Sequence, residues 1–199
     1  MSVRVALLAV LVLCGTACHA PPGKGAASPG GLVVAAGATR LQLDSGHSEV
    51  LVLVYGAGSL ARLGHNHAIA IADLQGELWI AQDLRRSVFS LQFPVAAMRL
   101  DDRALRAQQG SGFQEVLTDE DIDGTRTHML DTALLDALHY PTIALRSEGI
   151  EPAGSAWVAH TAVQVRAYTG HIDVPVKLEQ AAGQVVLSGG SRSATRSSA

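Results

Sequence analysis

Period-two alternation of apolar and polar residues constrains the fold of this chain more than any other feature. Over 88–95, Phe89, Leu91, Phe93 and Val95 share one parity, while Ser90 and Gln92 hold the other. Over 172–178, Ile172, Val174, Val176 and Leu178 alternate with Asp173, Pro175 and Lys177. Successive side chains of a strand point to opposite faces, so such runs make half-buried strands. Further strand-like runs cover 49–55, 59–73, 77–81, 142–146, 157–167 and 184–188, with Gly56-Ala57-Gly58 and Gln75-Gly76 as turns. Pro175 cannot donate to a ladder and marks an edge, a bulge or a strand end. Between the β-rich halves, 102–109 predicts a short helix ended by Gly110-Ser111-Gly112. A second helix is expected over 132–139, capped by Asp131, with Leu134, Leu135 and Leu138 as its apolar stripe and Tyr140-Pro141 as its stop. Strands at short spacing with one or two small helices predict a mainly β, antiparallel barrel or sandwich.

The first eighteen residues read as an address. Arg4 precedes an apolar run, Val5 to Leu13, that is too short to span a bilayer as a helix. Gly15-Thr16-Ala17-Cys18 follows and resembles the lipobox of bacterial lipoproteins, with Cys18 the acylated residue; cleavage after Ala17 or Ala20 by an ordinary secretory route is the alternative. The chain is expected to be exported to the periplasm and held to a membrane by its lipid. His19 in place of aspartate favours the outer membrane, by analogy with lipoprotein sorting. Residues 19–40, with Pro21, Pro22 and Pro29, read as a flexible linker. The only two cysteines, Cys14 and Cys18, lie in the leader, so the remaining domain has no disulfide framework and no thiolate site.

A formal net charge of −3 gives no basic footprint for nucleic acid. There is no Gly-x-Ser-x-Gly elbow, P-loop, dinucleotide fingerprint or His-Glu-x-x-His helix, so a non-catalytic role is expected. Asp119-Glu120-Asp121-Ile122-Asp123-Gly124 begins like a calcium loop, but its twelfth position is Leu130 where a bidentate glutamate belongs. It is expected to be a solvated acidic loop.

Gly64-His65-Asn66-His67 is the densest chemical signal. On a strand, His65 and His67 would share a face with Ile69 and Ile71, opposite Asn66, Ala68, Ala70 and Ala72. Three readings fit: strand-end histidines satisfied by the backbone, a polar spot at the mouth of an apolar cavity, or two metal ligands aimed one way. The last requires a third ligand, for which His160, His171 and Asp173 are candidates.

Four stretches, in order, resemble the YceI family of lipocalin-like β-barrels, whose members bind polyisoprenoid lipids. They are residues 48–54 followed by Leu63-Gly64-His65-Asn66-His67; Asp73-Leu74-Gln75-Gly76-Glu77-Leu78; Met129-Leu130-Asp131 through Leu138-His139-Tyr140-Pro141-Thr142-Ile143; and Tyr168-Thr169-Gly170-His171-Ile172-Asp173-Val174-Pro175-Val176. The resemblance covers 41–188 and implies a lipocalin-like antiparallel barrel with short inserted helices. It further implies binding of a long apolar ligand, an isoprenoid lipid or quinone, with no other cofactor. Expected lining residues are Val52, Val54, Ile69, Ile71, Phe89, Leu91, Phe93, Ile143, Leu145, Val163 and Val165, with His65 and His67 meeting the headgroup. A histidine-dependent metal-binding or redox-associated protein is the alternative. The chain departs from the family after Ser188, where further strands are the rule: 189–199 has no strand pattern and reads as an irregular, frameshifted end. A barrel open at one edge is the consequence, and an open edge is an aggregation liability.

Overall fold

The alternating runs become staves of one antiparallel sheet in a computed structural model that describes residues 4–14, 32–56, 64–181 and 184–194. The strands are β1 (Arg4–Cys14), β2 (Thr39–Gln42), β3 (Ser48–Tyr55), β4 (His67–Ile71), β5 (Gln75–Ile80), β6 (Val88–Pro94), β7 (Met98–Leu100), β8 (Thr142–Ala153), β9 (Ala156–Val165), β10 (Tyr168–Ala181) and β11 (Gln184–Ala194). Two helices, α1 (Arg103–Ala107) and α2 (Asp119–Leu130), lie between β7 and β8. The strand order is β2-β5-β6-β8-β9-β10-β11-β1-β3-β4-β7.

That order describes a curl. β2 runs through a short turn into β3, β4 into β5, and β6 into β7, so each of these pairs is one long stave bent in the middle. The bent staves and β8 to β11 are joined as nearest neighbours, an up-and-down antiparallel order. β1 fills the remaining place, paired to β11 over Arg4–Cys14 and to β3 over Arg4–Leu11. The expected mainly β, antiparallel architecture is what the chain adopts.

Inward rows follow the predicted parity. Leu43, Val50, Ile71, Leu78, Phe93, Val95, Met98, Ile143 and Val185 form the buried core, with Val52, Ile69, Phe89, Leu91, Leu145, Val163 and Val165 packed against it. Gly76 is required where β5 meets β6: a Cβ there would lie 2.5 Å from the Ser90 carbonyl oxygen and 2.5 Å from Leu91 Cδ2. Pro175 has no β11 partner, because that pairing begins at Val176, so its missing N–H costs no ladder bond.

Several expectations are corrected. Residues 189–194 continue β11, because β1 pairs with them from Ala9↔Gly189 to Arg4↔Ala194; β10 accompanies the strand only as far as Gly189, where a Cβ would lie 2.3 Å from the Pro175 carbonyl oxygen. Residues 195–199, like Cys18 and 15–31, lie outside the described residues. The leader segment Arg4–Cys14 is a strand of the sheet in the full chain. The 19–40 linker ends early, since Thr39 and Arg40 already pair with Ile80 and Trp79. No helix forms over 132–139. Asp131 instead ends α2, its amide bonding to the Thr127 carbonyl. The acidic stretch expected as a loop is the first turn of α2, where Thr118 and Asp121 cap each other reciprocally. In the turns that follow, Leu135 reaches the core while Leu138 is exposed. No helix among the described residues is long and apolar enough to cross a membrane.

Candidate functional site

His67 opens β4 on the inward row, opposite Val54 and one step beyond Ile69. His65 precedes the strand, so the expected shared strand face applies to His67, Ile69 and Ile71 alone. The two imidazole rings stand perpendicular, with centroids 6.5 Å apart.

A buried carboxylate organises this end of the barrel. Asp101 follows β7 at φ 53, a left-handed conformation that few non-glycine residues adopt. Its amide bonds to the Ala68 carbonyl, extending the ladder by one step. Its Oδ2 lies 2.6 Å from His67 Nδ1, and its Oδ1 accepts from the Ala68 amide at 2.9 Å and from Arg106 Nη1 at 2.7 Å. Arg106, on α1, also donates to the Asn66 carbonyl at 2.6 Å and to the Glu115 carbonyl at 3.3 Å, and lies 5.8 Å over the Phe113 ring. Burial pushes the Asp101 carboxyl up, but the bonds from His67, Ala68 and Arg106 outweigh it and hold the group below the usual carboxylate range. The Asn66 side chain joins the same structure, accepting from the Gly56 amide and donating to the Gly112 carbonyl. These bonds fasten α1 and the loop after it onto β4, whose other face, Ala68 and Ala70, is fully buried.

Chemically, the arrangement is a histidine oriented through Nδ1 by a buried acid, which leaves Nε2 as the atom able to meet a ligand or proton. His65 Nδ1 is buried 2.9 Å from Glu115 Oε2, yet outside hydrogen-bonding geometry. The candidate third metal ligands are engaged elsewhere. His160 Nδ1 is 2.7 Å from Asp173, and His171 Nδ1 is 2.8 Å from Glu148, on the outward face of β8 to β10. The hydrogen bond to Asp173 raises the His160 pKa, burial opposes it, and the charges of Asp173 and Glu151 add to the rise. Among the described residues no three or more His, Cys, Asp or Glu side chains are arranged to hold a metal ion.

The apolar space lies elsewhere in the barrel. A cavity of about 50 Å³ is lined by residues including Ile80, Phe89, Trp157, Val176 and Leu187. A second, of about 80 Å³, adjoins it and shares Phe89, Val176 and Leu187, adding Val50, Leu91, Leu145 and Gly189. Of the expected lining residues, Phe89, Leu91 and Leu145 border these cavities. Ile71, Phe93 and Ile143 are core, while Val52, Ile69, Val163 and Val165 pack beside it. Val54 is half-buried opposite His67. Neither His65 nor His67 lines either cavity, so the expected headgroup contact is not assembled here. Sequence reasoning missed Asp101, Arg106 and Asn66. The Asp101-Asp102 pair carried a hint, since only one of two adjacent aspartates can cap α1, and Asp102 does so.

No family model matches the chain, and no curated protein matches it. The crystal structure of Burkholderia cenocepacia BcnA superposes on 62% of this chain and 87% of that one, at 11% identity and a TM-score of 0.43. So distant a likeness carries no argument about ligand or function.

Proposed function

We propose that this protein is a non-catalytic binder of one long apolar molecule, an isoprenoid lipid or quinone, held inside the barrel. The observation that carries the reading is the pair of adjoining apolar cavities sharing Phe89, Val176 and Leu187. Each buried methylene contributes about 0.8 kcal/mol, so one five-carbon isoprene unit is worth about 4 kcal/mol before the costs of association. Association itself costs about 4 kcal/mol or more, so a single unit gives no net affinity and useful binding requires several units buried together. The YceI-like motifs and the export leader support the same reading. We propose further that the chain is carried to the periplasm and tethered through Cys18.

Titration of the full chain with farnesol, followed by tryptophan emission, tests the reading, because Trp157 borders the cavity. A saturable emission change is expected. Val176→Phe, which fills space common to both cavities, should weaken binding about tenfold or more, or 1.4 kcal/mol, while leaving the circular dichroism spectrum unchanged. Undiminished affinity in that variant would place the ligand outside the barrel and end the proposal.

A further inference from the structure

We infer that the slot between β3 and β11 is a strand-acceptor site, occupied in the full chain by Arg4–Cys14, and that withdrawal of this strand opens a lateral door into the apolar interior. The inference rests on the ligand reading above and adds how a long ligand enters.

Register carries the argument. β11 is linked to β3 only through β1 in the strand order. Val50 of β3 and Gly189 of β11 both border the larger cavity, and both are registered to Ala9. Leu187 and Ser188, also on the cavity wall, are registered to Leu11 and Val10. The β1 backbone therefore stands where the cavity would otherwise meet the outside. Neighbouring strands lie about 4.8 Å apart, so removing one stave leaves a gap of about 10 Å, wide enough for an isoprenoid chain.

The occupant is unlike the other staves. Val5 to Leu13 contains no polar residue, so it lacks the period-two pattern of a strand with one wet face. That composition suits a leader that leaves the barrel when the chain is exported. The edges it leaves, Ser48–Tyr55 and Gln184–Ala194, carry unpaired N–H and C=O groups that favour strand addition. Seated, the strand limits the interior to the small cavities. Withdrawn, it exposes them along the length of β3 and β11.

The test uses the full chain with Cys14→Ser and Cys18→Ser, carrying Leu7→Cys and Val52→Cys, which are direct register partners. Directly opposed residues in antiparallel strands lie close enough for a disulfide, whereas a one-residue slip turns the side chain to the other face. The in-register pair should oxidise readily and the control pair Leu7→Cys with Leu53→Cys should not. Equal or reversed oxidation overturns the slot. The locked form should bind farnesol about tenfold more weakly than the same protein reduced. Equal binding in the two forms overturns the door alone, while binding to neither overturns the door together with the ligand reading. Should the cysteine variants fail to fold, hydrogen exchange on the unmodified chain decides: strong protection is expected at Leu51, Leu53, Leu187 and Gly189, whose amides face β1, and rapid exchange there overturns the slot.

Discussion

Asp101 concentrates several functions of packing in a single side chain. It satisfies a strand amide, orients His67, and neutralises an arginine whose side chain is 5% exposed. Two desolvated charges gain little over apolar replacements, but removing one of them leaves its partner buried and uncompensated. Asp101→Asn keeps the shape and removes the charge. Urea unfolding should show a loss of about 3 kcal/mol, and an unchanged midpoint would mean that Arg106 finds other partners at no cost. The same carboxylate sets an acid limit. Its folded pKa is depressed below the ordinary value of 3.8, so its contribution is complete above that value and is lost as pH falls through the folded pKa. The Asn variant should therefore lose less further stability on acidification than the parent does. None of this was legible in the sequence, because His67 and Asp101 stand 34 residues apart and Arg106 and Asn66 stand 40 apart. Only the folding of the insert against β4 brings them together.

At the scale of elements, what was legible depended on whether burial left a period in the sequence. β6 and β10 have one wet face and one dry face, and their alternation marked both the strands and their inward rows. Helix α2 has no buried residue, so no apolar stripe announces it, and its acidic first turn resembled a calcium loop. The Thr118 and Asp121 spacing of a capping box was the usable signal. Glycines separate the two kinds of element by experiment. Gly76→Ala drives a methyl into the Ser90 carbonyl and Leu91, and should cost about 1–3 kcal/mol as β5 and β6 part. Gly124 lies inside α2, where an added methyl would meet nothing within 4 Å, so Gly124→Ala should stabilise by about 0.4–1 kcal/mol. Thermal or urea melts of the pair check both signs, and a neutral Gly76→Ala would mean that the ladder can widen there freely.

At the scale of the whole molecule, the closing stave was the least legible part, since an apolar run at both parities satisfies a leader and a strand alike. Its consequence is thermodynamic. The two apolar cavities inside the barrel, of about 50 and 80 Å³, are far smaller than the few hundred cubic ångströms of an ordinary ligand site, and the interior is stable partly because little space is left empty around them. A long apolar ligand must displace something, and it gains affinity only from the surface it then covers. Ligand that binds only the folded state raises stability by about 2.7 kcal/mol at one hundred times its dissociation constant. For a domain of this length that amounts to a rise of about 5–10 °C in Tm. Farnesol at such an excess should produce that rise in the parent and little in Val176→Phe, as measured by differential scanning calorimetry. A straight-chain alcohol with a similar number of carbons should give a comparable rise, because recognition rests on apolar area and no polar group lines the shared wall formed by Phe89, Val176 and Leu187. A rise with farnesol alone would assign selectivity to a polar contact the interior does not now display, and His67 Nε2 at the far rim would be the first atom to test for it.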